Sequence, residues 1–130
     1  MEFINVLVAG IAGFVFGAVW YTIFAKPWMA ESGVEVVDGK PANQSDPKPY
    51  IIGIVAAVVV AGMMRHIFAG AGIEGALRGL FYGAGLGAFI SAPWLATNYG
   101  FAGRSNALIG IDAGYAIGGS AAVGLVLNLF

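Results

Sequence analysis

The sequence predicts an all-α membrane protein: four transmembrane helices in a compact, glycine-rich bundle, a single membrane domain over residues 1–130, with both termini on the same side. Three observations lead there. First, the chain has 6 basic and 7 acidic side chains, 10% of its residues, and a mean hydropathy of +0.85, where an ordinary soluble domain is about 25% charged. Seven of the charges (Lys26, Glu31, Glu35, Asp38, Lys40, Asp46 and Lys48) crowd into one segment, which leaves Glu2, Arg65, Glu74, Arg78, Arg104 and Asp112 for all the rest. Second, four apolar runs reach the roughly 20 residues that cross about 30 Å of hydrocarbon. Third, the chain holds 21 glycines, about twice the usual share, and many of them recur four residues apart.

The first run, about 3–24, carries no charge. It lacks a basic leading region and is too long for a secretory signal, so it is expected to stay as helix one. Residues 25–49 form the polar loop, with Pro27, Pro41, Pro47 and Pro49 and the turn signal Asp38-Gly39. Lys26 and Trp28 follow helix one as interface anchors. Val34–Val37 is strand-like but short, so an irregular loop is the simpler reading. Pro49 can open helix two, about 50–68, whose Arg65 and His66 can snorkel toward headgroups. Helix three, about 77–96, starts at Leu77 with Arg78 at the interface, and Pro93 is expected to kink it near Trp94. The loop Thr97–Asn106 leads to helix four, about 107–130. The similar placement of Trp20 and Trp94 near helix ends hints at a weak two-plus-two repeat.

Glycine weakens helices in water, but in lipid small residues let backbones approach, and close packing drives association. Helix one has Gly10, Gly13 and Gly17; helix three has Gly79, Gly83 and Gly87; helix four has Gly110, Gly114 and Gly118. These are the expected helix-packing positions. Asp112 and Tyr115 face nearly away from the last stripe, so helix four is expected to be buried on two sides, one of them against the bundle and the other against a second subunit. The expected partners are the lipid bilayer and either a second copy or another membrane protein.

Several chemistries are excluded or unsupported. A net charge of −1 with no basic patch excludes nucleic-acid binding. Zero cysteines and one histidine leave no basis for a metal centre, and no cofactor motif, nucleophile–base pair or phosphate cradle is visible, so no enzyme is expected. The loops after helices one and three carry Lys26, Lys40, Lys48 and Arg104 against Arg65 and Arg78 on the other side, which places loop 25–49 in the cytoplasm by the positive-inside rule.

Asp112 is the one charge left inside a span, about 8 Å from the nearer interface at 1.5 Å per residue. An intramembrane carboxylate demands a partner. Arg104, Lys26, Asn98, Tyr99, Tyr21 and Thr22 lie on its side, and Arg104 is the preferred one, with its loop folding back over the bundle. The cluster is either a structural tie or a proton or cation site. Trp20, Tyr21, Lys26, Trp28 and Trp94 read as interface anchors, and Asn5 and Asn128, at the opposite face, as residues that cap or pair helix ends.

Two blocks resemble a known family. Gly17-Ala18-Val19-Trp20-Tyr21 with Ala25-Lys26-Pro27-Trp28-Met29, and Asn98-Tyr99-Gly100-Phe101-Ala102-Gly103-Arg104 with Ile111-Asp112-Ala113-Gly114-Tyr115, are similar to the two signatures of the small bacterial membrane family known as domain of unknown function 1761. The resemblance implies a four-helix integral membrane protein of about this size and associates Asn98, Tyr99, Arg104, Asp112 and Tyr115 as a group; the expected location is the bacterial cytoplasmic membrane. It implies no activity. The expected role is a structural or accessory bundle that self-associates or docks on a larger complex; the alternative is a small homo-oligomeric transporter or channel built around Asp112.

Overall fold

The computed structural model describes residues 2–130. Four helical stretches, Glu2–Ile23, Pro47–Ala71, Ala76–Phe101 and Asn106–Leu127, are long and apolar enough to cross a membrane, and the protein is an α-helical membrane protein. Helix α1 (Glu2–Ile23) runs through Phe24 into a short α2 (Ala25–Ser32), and β1 (Val36–Val37) pairs antiparallel with β2 (Lys40–Pro41). Then come α3 (Pro47–Ala71), α4 (Ala76–Leu86), a π-helical turn (Gly87–Ser91), α5 (Ala92–Phe101) and α6 (Asn106–Leu127).

The polar segment is thus more regular than an irregular loop. Asp38 and Gly39 take positive φ of 54° and 76°, the backbone twist that a two-residue hairpin turn requires. Asp46 caps α3 by accepting from the Lys48 N–H at 3.0 Å, and Pro47 occupies the first turn, where a missing N–H costs nothing. The helix therefore starts before Pro49. Ser105 caps α6 in the same way, accepting from the Leu108 N–H at 3.1 Å.

The third span departs from a simple proline kink. Pro93 has no N–H to give to Phe89 and its ring crowds that carbonyl. The chain answers with a wider turn: the Ala92 N–H donates to the Gly87 oxygen, five residues back, and Pro93 sits in the first turn of α5. Helix then continues to Phe101, past the expected end near residue 96, and leaves only residues 102–105 as loop.

Helix α6 is the centre of the bundle. It packs on α1 along one side and on α4, the π-turn and α5 along the other, while α3 packs mainly on α1. All three glycines of the α4 stripe face it. A Cβ at Gly79, Gly83 or Gly87 would overlap the backbone oxygen of Gly124, Ser120 or Ala116 respectively. The complementary row on α6 is Ala116, Ser120 and Gly124, in step with Asp112 and distinct from Gly110, Gly114 and Gly118. Gly114 and Gly118 instead face α1, where a Cβ would meet Trp20 and Phe16, and Gly110 meets open space. In α1, Gly10 lies against Val58 of α3, Gly13 against Val123 and Gly17 against Tyr115. Both sides of α6 are therefore covered within one chain, without the second subunit that its two-sided character suggested. The outward faces of α1 and α3 stay apolar: Val15, Val19, Val55 and Val59 are 52–65% exposed, as lipid-facing side chains should be.

The chain's two ends meet at one end of the bundle. Asn5, 2% exposed, donates from Nδ2 to the Leu127 and Phe130 carbonyls at 3.1 and 3.2 Å and accepts from Arg65 Nη1 at 3.2 Å. Arg65 turns inward rather than snorkelling: Nη1 also donates to the Leu127 oxygen, and buried Nε faces the Glu2 carboxylate at 3.6 Å. Asn128 donates to the Ile73 and Gly75 carbonyls at 3.3 and 3.0 Å, tying the α3–α4 turn to the end of α6. These bonds satisfy helix-terminal carbonyls that have no partner within their own helices.

Candidate functional site

Asp112 lies at the opposite end, in the second turn of α6, and is 8% exposed. Its two oxygens are taken by two tyrosines from different helices. The Tyr21 hydroxyl, near the end of α1, donates to Oδ1 at 2.5 Å, and the Tyr99 hydroxyl, near the end of α5, donates to Oδ2 at 2.6 Å. An ionised carboxylate only accepts, so one hydroxyl on each oxygen is the complement it needs away from water. The three residues clamp α1, α5 and α6 together.

Each side chain is placed by a local device. Tyr21 is held between rings, edge-on to Tyr115 at 5.4 Å and to Trp28 at 5.9 Å. Trp20 beside it stacks on Phe16 and tilts against Phe24, and its indole N–H donates to the Ile111 carbonyl at 2.8 Å. Glycines make room for the rings: Gly114 admits Trp20, Gly118 admits Phe16, and Gly17 of α1 admits Tyr115 of α6. The α1–α6 interface is thus an exchange of aromatic rings into glycine notches, with Asp112 at its edge.

The π-turn aims Tyr99. Tyr99 follows Gly87 by twelve residues, so at 100° per residue it would sit about 120° around the helix from the line that faces α6. A turn that takes one extra residue removes about 100° of that, which returns Tyr99 to within about 20° of the α6 face. A regular helix would turn the hydroxyl away from Asp112.

The structure separates the other residues grouped with Asp112. Arg104 does not pair with it. Its Nη1 donates to the Ser32 carbonyl at 2.8 Å, where a cation meets the negative end of α2. The reason is the longer α5, which carries the loop beyond Asp112 before Arg104 is reached, while the tyrosines already fill both carboxylate oxygens. Asn98 is exposed, and Tyr115 contributes its ring rather than a hydrogen bond to the carboxylate. Trp20 and Tyr21 point into the bundle and are not interface anchors, whereas Lys26 is exposed and Trp94 is 69% exposed, so Trp20 and Trp94 are not equivalent positions of a repeat. The row Ala116, Ser120, Gly124 falls at four-residue steps from Asp112, a spacing the sequence carries, whereas glycine content alone marks the line Gly110, Gly114, Gly118. Arg104→Ala is expected to leave the melting temperature in detergent within a degree or two of wild type and to raise protease cleavage between residues 25 and 46, because the bond it removes is exposed and holds only α2.

A family model described as "Protein of unknown function (DUF1761)" matches residues 4–128. No curated protein and no solved structure matches the chain. The family match covers nearly the whole chain, with the tyrosine-clamped carboxylate and both motif blocks inside it, and the chain belongs to the DUF1761 family of proteins of unknown function.

Proposed function

We propose that this protein is a structural or accessory membrane bundle, one that self-associates or docks on a larger membrane complex, with Asp112 as its internal tie. The observation that carries this reading is the saturation of the carboxylate: both oxygens accept from tyrosine hydroxyls, and the residue is 8% exposed. A tie needs closed hydrogen bonds; a transport site needs a path for its ion. The protein sits in the cytoplasmic membrane of a bacterium with loop 25–49 inside, a reading supported by Lys26, Lys40, Lys48 and Arg104 at that end against Arg65 and Arg78 at the other. No enzymatic chemistry is assigned to it.

The second reading, a small homo-oligomeric transporter or channel, rests on two observations: an intramembrane carboxylate and a π-turn one span away, both features that recur at functional sites. Reconstituted liposomes separate the two. For the tie, wild-type protein passes protons and monovalent cations no faster than empty vesicles, and Asp112→Asn lowers the melting temperature by several degrees, since the amide keeps an acceptor for one tyrosine, turns an NH2 toward the hydroxyl of the other, and loses the charge that strengthens both bonds. A wild-type flux that Asp112→Asn abolishes without lowering the melting temperature would establish the transporter instead. Crosslinking in native membranes, with the band pattern read for a second copy or a larger partner, tests the association.

A further inference from the structure

Helices α3 and α4 are joined by a short turn but do not pack closely on each other, because α4 follows its glycines onto α6 while α3 follows Gly10 and Val58 onto α1. The gap between them is a cleft of about 350 Å³ lined by Ile67, Phe68, Ile73, Phe81, Tyr82 and Leu86, with Gly85 in its wall. It opens sideways to the lipid phase: Phe81 is 65% and Tyr82 49% exposed. At its interfacial end it meets a second cleft of about 360 Å³, which shares Phe68 and Ile73 and is lined by Arg65, Glu74 and Asn128. Across those shared walls the two clefts adjoin, an apolar lining beside one that carries a cation, an acid and an amide, and together they make up a hollow at the α3–α4 turn.

We propose that this hollow binds one phospholipid with an ethanolamine headgroup, an acyl chain lying between α3 and α4, the phosphate at Arg65 and the ammonium at Glu74. Charge complementarity selects a zwitterionic headgroup, and a carboxylate that accepts N–H bonds selects the primary ammonium of ethanolamine over the quaternary nitrogen of choline, which has none to give. The cleft presents one basic and one acidic side chain together, which matches a group that bears a phosphate and an amine, whereas a purely anionic headgroup would meet Glu74 unfavourably. Arg65 is engaged at Nη1 by the Asn5 and Leu127 oxygens and at Nε by the Glu2 carboxylate at 3.6 Å, which leaves Nη2 for an oxyanion. The shape selects a chain rather than a protein: a helix is about 10 Å across with its side chains and does not enter a cleft of this size walled by Phe68, Phe81 and Tyr82. Asn128, which holds the turn bearing Glu74, keeps the acid at the cleft mouth.

Native mass spectrometry of the full chain in detergent tests this with ethanolamine, glycerol and choline phospholipids of identical acyl chains. The ethanolamine lipid is expected to stay bound through delipidation at about tenfold lower concentration than the glycerol lipid. Gly85→Leu fills the apolar half; no atom lies within 4 Å of a Cβ there, so the fold is retained and lipid retention falls about tenfold. Glu74→Gln, an exposed change, is expected to erase the preference for ethanolamine over glycerol while keeping binding itself. Equal retention of all three lipids by wild type overturns the headgroup assignment. Unchanged retention in Gly85→Leu overturns the site, and so does a Gly85→Leu protein that loses a second copy of the chain instead of a lipid.

Discussion

Gly83→Ala is expected to be among the most damaging single substitutions in this chain, although it adds one methyl group and improves helix propensity. The added Cβ would lie inside the contact radius of the Ser120 carbonyl oxygen and against the Ala121 backbone. A flexible side chain could swing aside, but a backbone oxygen held in α6 moves only if α4 and α6 separate. Overpacking a rigid contact costs about 1–3 kcal/mol and more where nothing yields, and here the loss extends along the seam because Gly79 and Gly87 make the same approach. The double variant Gly79→Ala/Gly83→Ala is expected to detach α4 from α6, read as loss of crosslinking between cysteines placed on the two helices. The control is within the same helix: Gly85→Ala meets open space and should leave stability unchanged or raise it by about 0.5–1 kcal/mol through the glycine-to-alanine gain. Gly110→Ala, also facing open space, should behave alike. Equal damage from Gly83→Ala and Gly85→Ala would show that the stripe is not the interface.

Asp112→Leu is the second large effect, and its partners determine its size. Removing the carboxylate strands the Tyr21 and Tyr99 hydroxyls, each in a part-buried position, at about 1–3 kcal/mol apiece. Tyr21→Phe or Tyr99→Phe alone removes one bond to a charged acceptor, about 1.5–3 kcal/mol, and leaves the carboxylate half satisfied. The three changes together should cost much less than their sum, because replacing every member of a polar network by apolar groups of similar shape leaves nothing unpaired. Melting curves of the single, double and triple variants measure this. Strict additivity across Tyr21, Tyr99 and Asp112 would mean that the hydrogen bonds do not couple the three helices.

What could be read from the residues, and what could not, divides along a physical line. The four spans follow from transfer of apolar side chains and a fully bonded backbone into hydrocarbon, a property summed over each run and indifferent to neighbours. Helix caps are nearly as local, yet a stretch with three prolines around Asp46 reads as loop and hides its cap, and strands of two residues around Asp38-Gly39 are too short to show alternation. The importance of Asp112 was also legible, since a lone charge in a span needs a partner wherever the chain goes. Its partner was not. Arg104 is the stronger electrostatic choice in isolation, but Tyr99 reaches the carboxylate only because a π-turn twelve residues earlier shifts the helix phase, and Tyr21 only because Gly17 and Gly114 let α1 settle against α6.

The sequence by itself determined that the chain lives in a membrane, where it crosses, and that one carboxylate must be answered inside. Only the tertiary structure decided which face of each glycine stripe is used, that both faces of α6 are covered by its own chain, and that two tyrosines rather than an arginine hold Asp112. The reason is that partition into lipid depends on composition along the chain, whereas the choice of partner depends on the relative rotation of helices, which a single extra residue in one turn changes by about 100°.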